Sequence, residues 1–254
     1  MPAITVTVIT LNEIANIEAC LASVSWADEI LVVDSGSTDG TPQRARALGA
    51  RVIERDWLGY AAQKNFAAAE ATHDWIVSLD ADERVTPALA SEIQSVLAAP
   101  SDAAGYRMPR LTWHLGRWIR TTDWYPDYQL RLYDRRRAEW PPRLVHESVT
   151  ANGRVAYLKN DLLHYAYRDI SHHHLAIDRY TSLAARQMHE AGRRAAVFDL
   201  VVHPAAAFAR NYIVRRGFTD GAAGFIVSTM NAYYVFLKFA KLWAIERQDR
   251  RPDR

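Results

Sequence analysis

The first hundred residues alternate between two hydrophobic patterns. Ile4-Thr-Val-Thr-Val-Ile-Thr10, Glu29-Ile-Leu-Val-Val33, Arg51-Val-Ile-Glu54 and Trp75-Ile-Val-Ser-Leu79 are short runs rich in apolar and β-branched residues. Runs of this kind suit strands buried on both faces. Between them, apolar residues recur at helical spacing. Ala15, Ile17, Ala19, Cys20, Leu21 and Val24 follow a capping Asn12, Thr41-Pro42 opens a second helix, and residues 60–70 form an Ala-rich third carrying Gln63, Lys64 and Asn65. Thr86-Pro87 repeats the opening for a helix to about Ala98. The order predicts an α/β fold, with a mostly parallel central sheet, helices on both faces and right-handed crossovers.

After Pro100 the pattern changes. Gly105–Pro109, Gln129–Tyr133 and Val155–Tyr157 are shorter strand candidates, separated by loops rich in Trp, Arg and Pro. From Asp169 the chain reads as helical over His174–Glu190, Val197–Arg210 and Gly224–Glu246. The expected division is a catalytic domain over 1–168, with a nucleotide half to about residue 100 and an acceptor half after it, followed by a helical C-terminal extension over 169–254.

Composition adds two points. The single cysteine, Cys20, excludes an internal disulfide framework and fits a reducing compartment, and the N-terminus carries no leader pattern. The net charge of +2 hides an asymmetry: residues 165–254 carry 14 Lys and Arg against 8 Asp and Glu, whereas residues 1–164 carry 17 against 21. A basic tail beside an acidic body suggests two jobs.

Candidate chemistry gathers where strands end. Asp80, Asp82 and Glu83 follow the fourth strand directly, at the sheet edge where open α/β sheets bind ligands. Two carboxylates at i and i+2, with a small Ala81 between them, can converge on one hard divalent cation. The plainer alternative is a solvated turn with acids at a helix start. The loop Asp34-Ser-Gly-Ser-Thr-Asp-Gly40 lacks the spacing and the lysine of a phosphate-binding loop. Its acids either accept hydrogen bonds from a base or ribose, or cap the following turn and helix.

Thr10-Leu-Asn-Glu13, Val32-Val-Asp-Ser-Gly-Ser-Thr-Asp-Gly-Thr41, Gln63-Lys-Asn65 and Leu79-Asp-Ala-Asp-Glu83, in that order, resemble the inverting family 2 glycosyltransferases of the GT-A (Rossmann-like) fold. The resemblance covers about residues 3–165. Tyr125-Pro-Asp-Tyr-Gln-Leu-Arg-Leu-Tyr133, Val145-His-Glu147 and His164-Tyr165 resemble the lipopolysaccharide-core β-1,4-glucosyltransferase branch. The resemblance implies that Thr10, Leu11, Asn12 and Glu13 line a nucleotide pocket. Asp34, with Ser35 and Gly36, would bind uracil or ribose, and Lys64 and Asn65 would lie near the base or diphosphate. Asp80 and Ala81 would touch ribose or sugar, and Arg131 would either steady a phosphate or make a surface salt bridge. Asp82 would be the main ligand of Mg²⁺ or Mn²⁺, with Asp80 and His146 as further metal candidates. Such an ion stabilises the charge that builds on a diphosphate leaving group.

An inverting transfer also needs a base to take the acceptor hydroxyl's proton. Asp127 and Glu147 are the candidates, and Asp127 is favoured from the place of the family's acceptor-side acid. His146 is either a ligand or a hydrogen-bonded structural histidine. His172-His-His174 reads as a solvated helix start. Trp113, Trp118, Trp124, Tyr125 and Tyr128 offer either a sugar-stacking platform or plain loop packing.

The resulting expectation is transfer of a sugar, glucose from UDP-glucose, to a lipopolysaccharide-core or other lipid-linked glycan, without a nucleic-acid partner. A nucleotidyltransferase and a non-catalytic nucleotide-sugar-binding module are the alternatives. Residues 224–245 are strongly apolar but interrupted by Asn231, Lys238 and Lys241, so they do not make a clean membrane span. With Arg210, Arg215 and Arg216 beside aromatics, this region predicts either a membrane interface or packing on the catalytic domain or a second copy. The expected location is cytoplasmic, peripheral on the inner membrane.

Overall fold

The computed structural model describes residues 2–141 and 148–248, and two compact units emerge from it. The first comprises residues 1–111 and 127–165, and the second residues 112–126 and 166–254. The expected division near residue 168 therefore lacks one feature: residues 112–126, read as part of the catalytic domain, cluster with the C-terminal helices. His146 and Glu147 lie outside the described residues.

The predicted alternation of the first hundred residues is present. Strands β1 (Ile4–Thr10), β2 (Glu29–Asp34), β3 (Arg51–Glu54) and β4 (Trp75–Asp80) alternate with helices α1 (Ile17–Ala22), α2 (Thr41–Ala47) and α3 (Tyr60–Glu70). These four strands pair in parallel, in the order β3-β2-β1-β4. A short β5 (Glu83–Val85) precedes α4 (Pro87–Ala98), whose Thr86 cap accepts from the Leu89 amide as its sequence predicts. Then follow β6 (Gly105–His114), β7 (Arg117–Ile119), β8 (Asp127–Asp134), the small pair β9 (Ala138–Glu139) and β10 (Thr150–Ala151), β11 (Val155–Tyr157) and β12 (Leu162–His164).

The parallel half continues into an antiparallel one: β8 pairs with β4, β6 with β8, and β12 with β5. Gly105 opens β6 where a side chain has no room: a Cβ there would lie 2.9 Å from both Leu130 Cδ1 and the Leu132 carbonyl. Strand residues alternate between two cores. Val6, Val8, Val32, Val77 and Leu79 pack with Ile17, Cys20, Leu89 and Ile93 of α1 and α4. Ile9, Leu31 and Val33 pack with Ala67 of α3 on the other face.

Two caps differ from expectation. Helix α1 starts at Ile17, and Asn12, at φ 56°, instead accepts from the Thr38 amide. Thr41 does not cap α2, because its hydroxyl donates to Asp39 Oδ1 and accepts from the Glu13 amide. Both residues are spent on tying the first loop to the second.

The second unit holds α5 (Ile170–Glu190), α6 (Val197–Ala209) and α7 (Gly221–Gln248), with a π turn over Arg210–Val214. Its core gathers Ala185, Ala195, Phe239 and Leu242. The polar interruptions of α7 have partners inside the unit. Lys241 Nζ lies 2.7 Å from Asp178 Oδ1, and Asn231 accepts from Trp124 Nε1 and donates to Asn211. Position 224, in the first turn of α7, must be a glycine, since a Cβ on Gly224 would lie 1.8 Å from the Gly217 carbonyl oxygen.

Candidate active site

The end of β4 places Asp80 at the sheet edge, and a tight turn follows through Ala81 and Asp82. Strand β12 then runs antiparallel to β5, with His164 opposite Glu83. This register carries His164 Nε2 to 3.4 Å from Asp82 Oδ2. The Tyr165 amide donates to the Asp82 carbonyl and fixes the turn against β12. Asp82 Oδ1 is buried without a hydrogen-bond partner. A buried carboxylate oxygen left open is costly unless a ligand completes it. Burial pushes the Asp82 carboxyl up, but the charge and hydrogen bond of His164 outweigh it and hold the group below its ordinary range.

Asp82 and His164 thus present one carboxylate and one imidazole to the same space, a donor set that fits a divalent ion whose other ligands come from a substrate. Among the described residues no group of three or more His, Cys, Asp or Glu converges on one point. Asp80, expected as a second metal ligand, has both oxygens engaged. Oδ1 lies 2.8 Å from Lys64 Nζ and Oδ2 lies 2.5 Å from Arg131 Nη2. Burial raises the Asp80 carboxyl, yet Arg131 and then Lys64 drive it far below the ordinary carboxylate range. Its negative charge serves those two cations.

Arg131 differs from expectation for the same reason. It is buried, and Nη2 reaches Glu83 Oε1 at 2.6 Å as well as Asp80, while its buried Nε has no hydrogen-bond partner. Glu83 is fully buried and also accepts from the Asp80 amide and from Arg110 Nη1 at 3.3 Å. Arg110 in turn donates Nε and Nη2 to Asp127 Oδ2 at 3.0 and 2.7 Å, and Gln129 donates to Asp127 Oδ1. Lys64, Asp80, Arg131, Glu83, Arg110 and Asp127 therefore form one chain of alternating charge. It links the metal-motif turn to the expected base, whose side chain stays 31% exposed. Removing Asp80 leaves buried Lys64 without its anion, and removing Arg131 takes one cation from both Asp80 and Glu83.

Lys64 is itself buried, and its ammonium lies 4.4 Å from the ring centroid of Trp140. Asn65 lines no open space, because its side chain donates to the Trp140 carbonyl and accepts from its amide, clamping that tryptophan beside Lys64. The upstream loops are similarly committed. Asp34 is 1% exposed, and its oxygens accept from the Gly36 and Ser37 amides and the Thr10 and Ser37 hydroxyls. It organises the loop, as its capping reading anticipated, and has no oxygen turned to a base or ribose. Ser35 accepts from Gln63, Ala81 is buried, and Leu11 is half exposed at the rim. Glu13 accepts from Asn16.

Trp113, Trp118, Trp124 and Tyr125 belong to the second unit and Tyr128 to the first, where it packs edge-on against Tyr157. Trp124 instead joins His114, Tyr167 and His173, with ring centroids 4.2–5.7 Å apart. His173, read as part of a solvated helix start, is 3% exposed. His164 is the site residue the sequence undervalued. The available signal was its place in a short apolar run, Leu162-Leu-His164, which reads as a strand once β5 is recognised.

Residues 5–159 match the family described as glycosyl transferase family 2. The lipopolysaccharide core biosynthesis glycosyltransferase LpsC of Rhizobium meliloti is 31% identical over 97% of this chain and 94% of its own length. An uncharacterized glycosyltransferase of Rickettsia felis is 32% identical, over 95% of this chain and 90% of its own. Among solved structures, the mannosyltransferase PcManGT of Pyrobaculum calidifontis, in complex with GDP-Man and Mn²⁺, shares the fold at a TM-score of 0.59. It covers 96% of this chain and 88% of its own, at 19% identity. With the GT-A fold, the motif order and the whole-length relatives in agreement, the chain belongs to glycosyl transferase family 2 and is a glycosyltransferase.

Proposed function

We propose that this enzyme transfers glucose from UDP-glucose, with inversion, to a hydroxyl of a lipopolysaccharide-core or other lipid-linked glycan. The same reading has it working peripherally at the cytoplasmic face of the inner membrane. In support, no described helix is long and apolar enough to cross a membrane, and a whole-length relative carries a lipopolysaccharide-core name. The observation that carries the catalytic reading is the open Asp82 Oδ1 beside His164 at the sheet edge.

In this mechanism Asp82 and His164 would hold the divalent ion, which would supply neutralisation of the leaving diphosphate. A mixed carboxylate–imidazole pair favours Mn²⁺ over Mg²⁺. Asp127 accepts the proton of the acceptor hydroxyl as its oxygen bonds to the anomeric carbon and the bond to the diphosphate breaks. Arg110 and Gln129 fix the direction in which Asp127 points. Lys64 and Arg131 hold Asp80, and so the turn that carries Asp82, against movement. Glu147 is the alternative base.

Thermal shift with UDP and Mn²⁺ tests the donor site, because a ligand bound only by the folded state raises the melting temperature. The wild type should show a Mn²⁺-dependent rise that Asp82→Ala and His164→Ala abolish. A full response in Asp82→Ala would remove the metal role. Asp127→Asn should keep that response and lose about 10²–10⁴-fold in turnover, the range of a lost general base. The same loss in Glu147→Gln with Asp127→Asn active would transfer the role to Glu147.

A further inference from the structure

Helix α6 has no buried residue. Val197, Phe198, Val201 and Val202 are 68, 65, 64 and 40% exposed. At 100° per residue these positions, with exposed Ala205 and Ala206, fall on one half of the helix. No charged side chain interrupts that half. Leu200, on the other side, packs towards Phe239 and Leu242, and Asp199 pairs with His203 at 2.9 Å there. The apolar surface continues within the π turn at Ile213 and Val214, 62 and 74% exposed. An apolar stripe this long and unbroken is not the scattered exposure of an ordinary soluble surface.

Charge brackets the stripe. Exposed Arg193 and Arg194 precede α6, and exposed Arg210, Arg215 and Arg216 follow it, about 20 Å away at 1.5 Å per residue. Asp123 pairs with both Arg210 and Arg215 and leaves that end net positive. The second unit as a whole has 16 Lys and Arg against 9 Asp and Glu. A second copy is a poor occupant. Packed antiparallel, the stripe sets each basic end against the other basic end; packed parallel, it sets each against its equal. An anionic bilayer meets both requirements, hydrocarbon for the stripe and phosphates for the arginines.

We propose that α6 and the π turn after it are the membrane-docking element of this protein, lying in the interface plane of a bilayer that contains anionic lipid. The sequence directs attention to residues 224–245, but α7 mainly packs, with Val227, Phe239 and Leu242 buried and only Phe225 and Phe236 among its large hydrophobics exposed, at 49 and 41%. The inference deepens the reading of a lipid-linked acceptor and names the surface that reaches it.

Cys20 is fully buried, so a cysteine introduced as Val201→Cys can be labelled selectively with an environment-sensitive dye. Vesicles of phosphatidylglycerol and phosphatidylcholine should shift its emission to the blue, and vesicles of phosphatidylcholine alone should do so far less. A label at exposed Gln187→Cys on α5 should not respond. Phe198→Glu/Val201→Glu should cut co-sedimentation with the anionic vesicles by about tenfold or more, and added salt should weaken the wild type. Wild-type protein that ignores these vesicles, or a double variant that binds them equally, overturns the proposal. So does a wild-type dimer, seen by sedimentation velocity, that the double variant dissociates. The thermal shift with UDP and Mn²⁺ should persist in the double variant, and vesicle binding should persist in Asp82→Ala. Failure of the membrane inference is thereby separated from failure of the donor site.

Discussion

The two units solve the problem of buried polarity in opposite ways. The first buries full charges and pairs them: Lys64, Asp80, Arg131, Glu83, Arg110 and Asp127 alternate in sign through contacts of 2.5–3.3 Å. The second buries one such charge, Asp220 paired with Arg117 at 3.0 Å, and otherwise relies on neutral rings. His114 and His173 are 1 and 3% exposed, and both ring nitrogens of His114 and Nδ1 of His173 have no hydrogen-bond partner. The outer surfaces differ too, since the second unit exposes an apolar helix face that the first has no counterpart for among its large exposed hydrophobics. A paired network fixes geometry, which a catalytic edge requires. Neutral histidines ask only to stay neutral, which makes the second unit the one sensitive to mild acid.

The comparison is broken most directly by unpairing the network. Arg131→Met leaves Glu83 and Asp80 buried with one cation fewer and should cost about 3–5 kcal/mol in denaturant unfolding. Adding Glu83→Leu to it should recover part of that loss, because it removes a buried carboxylate left with only the longer Arg110 contact. A double variant less stable than Arg131→Met would mean the network acts through packing alone.

Acid should act next, on the second unit. Burial, then the charges of His114, His172 and His174, bring His173 from 6.5 down to about 4. Between those values the unfolded chain binds the extra proton. Stability is therefore complete above pH 6.5 and declines by up to about 3 kcal/mol as pH falls to 4. Hydrogen exchange in α5 should rise over this window, and His173→Gln should flatten the dependence.

The smallest effect belongs to the first unit at lower pH. Burial raises the Glu29 carboxyl, but hydrogen bonds from Thr5, Thr72 and Arg51 outweigh it and bring it from 4.5 to about 2. Its contribution is present above pH 4.5 and lost towards pH 2, about 1–2 kcal/mol after allowing for solvent screening. Exchange in β1 and β2 should increase only in this lower window, after α5 has already responded. A single window for both units would merge what the structure separates.

Much of the first unit was legible in the chain. Four apolar runs at regular spacing, with helical patterns between them, imply a parallel sheet because local periodicity and burial agree. The Asp80-Ala-Asp82 turn was legible for the same reason, since a carboxylate after a buried strand has only the sheet edge to occupy. Partners distant in sequence were not legible. His164 reaches Asp82 only through the register of β12 on β5, and Arg131 meets Asp80 and Glu83 across about fifty residues.

The sequence by itself determined the element order, the family and the position of the acidic turn, because each depends on contacts and patterns within short stretches. Tertiary structure decided which side chains remain open to a ligand. Asp34, Asn65 and Asp80 all have the right chemistry for a nucleotide sugar, yet each is consumed by neighbours that only folding brings near. Asp82 keeps an open oxygen because its one close partner, His164, engages the other. The same holds for the C-terminal helices: composition made 224–245 the apolar segment, but packing covered much of it and left the face of α6 exposed.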